Sequence, residues 1–186
     1  MSGTIWLITE DENDGEVIKA LLAAKNIHVR VKIRKLTGNT GSVSRLAVQL
    51  KKHIQTAQRE KSANDCIAVL HDADEKSQPD RELYRKIAQI CRQMQVKEVI
   101  AKDELESWLL ADGGLCKWLG ITPKNWDEQR KPSDKLASLL KAKKKLKYQA
   151  RGRDVVRNHL DGTGDKYSHS MSAALKLLED APCIKD

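Results

Sequence analysis

Acidic residues fall in three tight groups along the chain, and their spacing suits work on phosphate. Glu10, Asp11, Glu12 and Asp14 follow the apolar run Ile5-Trp6-Leu7-Ile8. Asp72, Asp74 and Glu75 follow Cys66-Ile67-Ala68-Val69-Leu70, and Asp103, Glu104 and Glu106 follow the run from Val96 to Ala101. In an extended segment, side chains two residues apart point to the same side, so Asp72 and Asp74 present paired hard oxygen ligands of the kind that Mg²⁺ or Mn²⁺ takes. The chemistry expected of such a set is metal-assisted phosphoryl transfer, with the cation stabilising charge on phosphate oxygens and activating water. Each group alone reads as a helix cap or a solvated turn. Three groups placed alike, each behind an apolar run, point instead to one shared site. Glu104 and Glu106 cannot both face the same ion from a regular helix, because positions two apart diverge, so one of them is available as a cap. His71, beside Asp72, either assists a proton transfer or packs at the end of its strand. His159 and His169 have less to recommend them, and the helical spacing of Trp108 with Leu105 and Leu109 places it in the core.

The elements that must position these acids follow from hydrophobic period. Ile5 to Ile8 is a short strand, and Val17, Ile18, Leu21 and Leu22 recur at helical spacing behind it. Ile27, Val29, Val31 and Ile33 alternate with His28, Arg30, Lys32 and Arg34, the period of an edge strand with one wet face. Val43, Leu46, Ala47, Leu50 and Ile54 mark a second helix. Cys66 to Leu70 is continuously apolar, as expected of a strand covered on both faces, and a third helix through Leu83, Ile87, Ile90 and Cys91 leads to a fourth strand over Val96 to Ala101. The β-α-β-α-β-α-β order predicts an α/β fold with a mostly parallel four-stranded sheet and flanking helices. In such a sheet ligands bind beyond the carboxyl ends of the strands, where all three acidic groups fall. After Lys102 the pattern becomes helical, and Gly113-Gly114 suggests a boundary. We therefore expect a catalytic core over 1–112 and a basic helical region over 113–186 packed on it.

Charge supports this division. The chain holds 34 Lys/Arg and 26 Asp/Glu, a net charge of +8, and residues 113–161 alone hold thirteen basic against five acidic residues. The whole excess therefore sits in one segment. A localised cationic segment is the electrostatic footprint of a polyanion partner, and Lys141, Lys143, Lys144, Lys145, Lys147, Arg151 and Arg153 are the expected contacts to nucleic-acid backbone. A solvated lysine-rich helix face is the simpler reading. No apolar run approaches the roughly 20 residues that cross a bilayer. The N-terminal sequence lacks the features of a signal peptide, so a cytoplasmic protein is expected. Cys66, Cys91, Cys116 and Cys183 are spread singly, without CxxC or a Cys/His cluster, and are expected as ordinary thiols rather than a disulfide framework or zinc site.

The segments Ile8-Thr9-Glu10-Asp11-Glu12-Asn13-Asp14 and Val69-Leu70-His71-Asp72-Ala73-Asp74 resemble the Toprim domain, which places a glutamate after its first strand and a DxD pair later. The stretch Asp103-Glu104-Leu105-Glu106-Ser107-Trp108-Leu109-Leu110-Ala111-Asp112 is similar to the E-x-E-x-W-L-L-x-D element of small bacterial Toprim-like proteins of the DUF4276 type, and Lys131-Pro132-Ser133 with Tyr148 and Arg153 resembles their C-terminal half. Asp11 and Asn13 depart from the glycine and the Ser/Thr usual in that first loop. The resemblance implies a Toprim-like fold. It implies Glu10 as general base or metal ligand, Asp72 and Asp74 as metal ligands, Glu104 or Glu106 as a further ligand, and Lys102 or Lys76 on the scissile phosphate. It also implies an ATPase partner and a role in phage defence. A divalent-metal-dependent nuclease is therefore expected, and the competing reading is an inactive nucleic-acid-binding or regulatory module; either could act as a homo-oligomer. A haloacid-dehalogenase-like phosphatase fits poorly, since its DxDx[TV] motif belongs after the first strand. A topoisomerase or primase would need further domains than 186 residues provide.

Overall fold

Four short segments fold into one parallel sheet because each of the first three is followed by a helix long enough to carry the chain back across it. In the computed structural model, which describes residues 3–36, 43–73, 78–127, 131–181 and 183–184, these are β1 (Thr4–Thr9), β2 (Arg30–Lys35), β3 (Cys66–Ala73) and β4 (Lys97–Lys102). They are arranged in the order β2-β1-β3-β4, with every pairing parallel. The chain turns one way from β1 to β2 and the other way from β1 to β3, so a topological switch point opens between the ends of the two central strands.

Alternation along the strands divides the core in two. Ile5, Leu7, Ala68, Leu70, Val99 and Ala101 face a cluster shared with Val17, Ile18 and Leu21 of α1 (Glu12–Ala24). Trp6, Ile8, Ile67 and Val69 face Leu46, Leu50 and Ile54 of α2 (Val43–Glu60) and Ile87 and Ile90 of α3 (Gln78–Gln93). The expected edge position of β2 holds. Its first residue is Arg30 rather than Ile27, and β3 runs on through Asp72 to Ala73, so Asp72 is a strand residue paired with Ala101 and not part of the loop beyond.

The second half of the chain is helical: α4 (Glu106–Ala111), α5 (Gly113–Leu119), α6 (Pro132–Lys144), a π-helical turn (Tyr148–Gly152), α7 (Arg153–Arg157) and α8 (His169–Glu179). Leu115, Leu119, Leu136, Leu140, Val156 and Leu178 belong to the same cluster as Ile5 and Leu7, so the helices continue the core on one face of the sheet. The helix break falls at Asp112, and Gly113 and Gly114 open α5 rather than interrupt a helix, with Gly114 in a tight place. A Cβ on Gly114 would stand 2.4 Å from the His159 carbonyl oxygen. Asp112 caps α5 through the Leu115 amide and also accepts from the Asp161 and Gly162 amides, which fastens the later loop to this corner.

The cysteines depart from expectation. Cys66 and Cys183 form a disulfide, while Cys91 and Cys116 are buried free thiols. The Gly3 amide donates to the Cys183 carbonyl at 2.8 Å, which lays the C-terminal segment against the start of the sheet and brings the two Cα atoms to 5.6 Å. A separation of 117 residues hides that proximity from any reading of Cys spacing. Among the described residues, no helix is long and apolar enough to cross a membrane.

Candidate functional site

The switch point collects carboxylates from three elements. Asp14 lies in the first turn of α1, Asp72 near the end of β3, and Glu106 at the start of α4. Each is half-buried, and the charges of Asp14 and Glu106 both act on Asp72. Burial first, and then the neighbouring acids, push Asp14 up to about 7 and Asp72 up to about 8. Burial also raises Glu106. Carboxyls gathered in this way are costly as anions unless a cation or proton joins them.

Local structure explains how each arrives. Asp11 has extended backbone and caps α1 by accepting from the Asn13 amide at 3.0 Å, with the Asn13 side chain adding a second bond at 2.8 Å. Asp11 and Asn13 thus make the cap that starts α1, and Asp14 rides on its first turn. Asp103 takes a left-handed φ of 63° directly after β4, turning the chain so that the Leu105 amide donates to Asp72 Oδ1 at 3.0 Å. The turn also sets Glu106 beside Asp72. Glu104 is tied to α6, its Oε2 accepting from the Ser133 amide at 2.8 Å, and its charge still bears on Asp72 and Glu106. Of the two glutamates, Glu104 is held by the Ser133 amide and Glu106 by the Tyr148 hydroxyl, and the charges of both act on Asp72.

Glu10 directly follows Thr9, the last residue of β1, and its side chain is exposed. The protein crowding its carboxyl raises it, and the His71 charge opposes that shift. His71 is itself buried, with Nε2 at 3.0 Å from Glu98 Oε1 and Nδ1 at 3.1 Å from the Asp72 carbonyl, and its ring stacks on Tyr84. It is held as a packed strand-end residue. Asp74, with Glu75 and Lys76, lies outside the described residues, as does the side chain of Arg151. Among the described residues, no three carboxylate, histidine or cysteine groups form a ready cage for an ion.

The cation that faces the carboxylates is Arg153. Its Nη1 donates to Asp11 at 3.1 Å, its charge acts on Asp14 and Glu106, and its guanidinium lies 5.5 Å from the centre of the Tyr148 ring. The Tyr148 hydroxyl donates to Glu106, and burial with that acidic neighbour raises it. Lys102, by contrast, is exposed at the end of β4 and lines a groove on the α3 side. The π-helical turn brings Tyr148 and Arg153 together, five residues apart, which neither a strand nor a helix period suggests.

Beyond Glu106 opens a cavity of about 500 Å³, lined by Glu106, Ser133, Lys141, Lys147, Tyr148 and Arg153 among others. Lys141, Lys143, Lys145 and Lys147 are exposed. Lys143 also donates to the Gly120 carbonyl, and Lys144 is half-buried with its ammonium 4.7 Å from the centre of the Trp118 ring. The basic segment thus divides into lysines tied to the fold and a group, Lys141 and Lys147, that borders the acids. Asp14 was legible only as one of several loop acids, because the third position of a helix is an ordinary place for a capping carboxylate. Set against family models, curated proteins and solved structures, the chain matches none of them.

Proposed function

We propose that the protein is a divalent-metal-dependent nuclease that hydrolyses phosphodiester bonds at the carboxylate cluster of Asp14, Asp72 and Glu106. The observation that carries this reading is the gathering of three mutually repelling, half-buried carboxylates at the switch point, with Arg153 and a lysine-bordered cavity beside them. Carboxylate oxygens are the hard anionic donors that Mg²⁺ and Mn²⁺ take. Asp72, Glu106 and Asp14 would hold the ion, and the bound cation would supply charge stabilisation and water activation.

The remaining work belongs to the chain. Arg153, Lys141 and Lys147 attract the phosphate and orient it toward the acids. Tyr148 holds the Glu106 carboxylate by donating to it, and the Leu105 amide fixes that of Asp72. Exposed Glu10 would take a proton from the attacking water as the water oxygen bonds to phosphorus and the bond to the leaving oxygen breaks. The likeness to small Toprim proteins adds an ATPase partner and phage defence to this proposal. The exposed basic face favours a second reading, a nucleic-acid-binding module without turnover. Plasmid, single-stranded DNA and tRNA incubated with the protein in Mg²⁺, Mn²⁺ or EDTA separate the two. Cleavage that needs the metal and is lost in Glu106→Gln supports the nuclease; binding without cleavage in any metal rejects it.

A further inference from the structure

The two edges of the sheet are defended differently. β2 carries Arg30, Lys32, Arg34 and Lys35, so a second copy laid antiparallel on that edge would set cation against cation. β4, at the opposite edge, has Val99 and Ala101 buried on one face and Glu98, Ile100 and Lys102 on the other. Ile100 is 40% exposed at the middle of the strand. A bare β-branched residue at the centre of an edge strand is what natural sheets usually avoid. Among the described residues no strand pairs with the outer side of β4. A groove of about 1030 Å³ runs there, between Tyr84 and Ala88 of α3 and Ala173 and Leu177 of α8, with Ile100 among its lining residues.

We propose that β4 is a dimerisation strand, on which two copies of this chain pair antiparallel about a twofold axis at Ile100 to form one continuous eight-stranded sheet. The strand is self-complementary in this register. Ile100 meets Ile100 of the second copy, Glu98 meets Lys102, and Lys102 meets Glu98, so that one apolar pair is flanked by two opposite-charge pairs. The pairing closes whichever way the Ile100 amide points, since antiparallel strands alternate between bonded and non-bonded pairs about such an axis. Ala173, with its small side chain, lines the groove beside the strand. Opposite charges within one strand suit its own reversed copy better than a peptide of a single sign. The carboxyl ends of the two central strand pairs then point in opposite directions, so the two carboxylate clusters open at opposite ends of the joined sheet.

The test is sedimentation velocity on the full chain at low ionic strength, after nucleic acid has been removed by a high-salt wash, with circular dichroism as the check on folding. Wild type is expected at twice the mass of one chain, and Ile100→Asp at the mass of one. Glu98→Lys and Lys102→Glu should each sediment as monomers, because each sets like charges across the axis, and an equimolar mixture of the two should restore the dimer. The mixture carries the test should Ile100→Asp fail to fold. A wild type that stays monomeric at its highest soluble concentration overturns the proposal, including one that takes up an acidic extended peptide in the groove instead. So does a dimer that survives all three substitutions, or a mixture that stays monomeric.

Discussion

Replacing Asp72 with Asn should make the metal-free protein more stable, which is the opposite of what removing a capping aspartate does. In the folded chain Asp72 titrates at about 8 against an ordinary 3.8, because burial and the charges of Asp14 and Glu106 disfavour its anion. A carboxyl raised in the folded state stabilises the fold fully below its unfolded value, and that contribution is lost as pH rises through the folded one. Metal-free wild type should therefore lose stability steadily between about pH 4 and pH 8. Moving a carboxyl that far corresponds to a ceiling of about 6 kcal/mol at 1.36 kcal/mol per pH unit. Asp72 keeps contact with water, and screening trims this to a gain of roughly 1 to 3 kcal/mol for Asp72→Asn above pH 8. Asn can still accept from the Leu105 amide, so the hydrogen bond at 3.0 Å is not sacrificed. In a chain of this size the gain is a rise in Tm of about 2 to 12 °C. Thermal melts of both proteins in EDTA from pH 4 to 9 should give curves that coincide at the acid end and separate toward the alkaline end. A variant that melts lower by the same margin at every pH refutes the repulsion and makes Asp72 a structural acid.

Reducing the Cys66–Cys183 disulfide, or making Cys183→Ser, should cost about 2 to 4 kcal/mol, since the bond closes a long loop; a Tm unchanged by dithiothreitol contradicts this. Neutralising Lys141, Lys145 and Lys147 together should weaken nucleic-acid binding for every sequence and lower the salt slope by up to about 0.9 per lost phosphate contact, measured by fluorescence anisotropy over a salt series. An unchanged slope assigns these lysines to a solvated face. Glu104→Gln keeps an acceptor for the Ser133 amide and should cost less than about 1 kcal/mol in a melt, with cleavage retained. Gly114→Ala should lower Tm markedly in the same assay, because its Cβ meets a backbone carbonyl that cannot swing aside.

Local pattern carried the scaffold: the apolar runs at Ile5 and Cys66 became the two central strands, and the alternating run around Val31 became an edge. What local pattern could not carry was contact at long range. Arg153 reaches Asp11 across 142 residues, and Cys66 reaches Cys183 across 117. Glu104 and Glu106 were alternatives in the sequence, and only the amide of Ser133, 29 residues on, separates them. Asp14 looked like a helix-start acid and is one, yet the fold also sets it against Asp72 and Glu106. Lys102 followed a strand as a phosphate-binding lysine should, but β4 delivers it to the groove at the sheet edge while Arg153 takes the place beside the acids.

The most direct test of the metal-nuclease assignment is single-turnover cleavage of an end-labelled oligonucleotide at saturating Mn²⁺ by wild type and Asp72→Asn, using a substrate that wild type cuts. Wild type should cleave and lose all activity in EDTA, and Asp72→Asn, though folded and more stable without metal, should be slower by at least about a hundredfold, a loss of roughly 3 kcal/mol of barrier lowering. Equal rates for the two proteins, or cleavage that persists in EDTA, would contradict the assignment of catalysis to this carboxylate cluster.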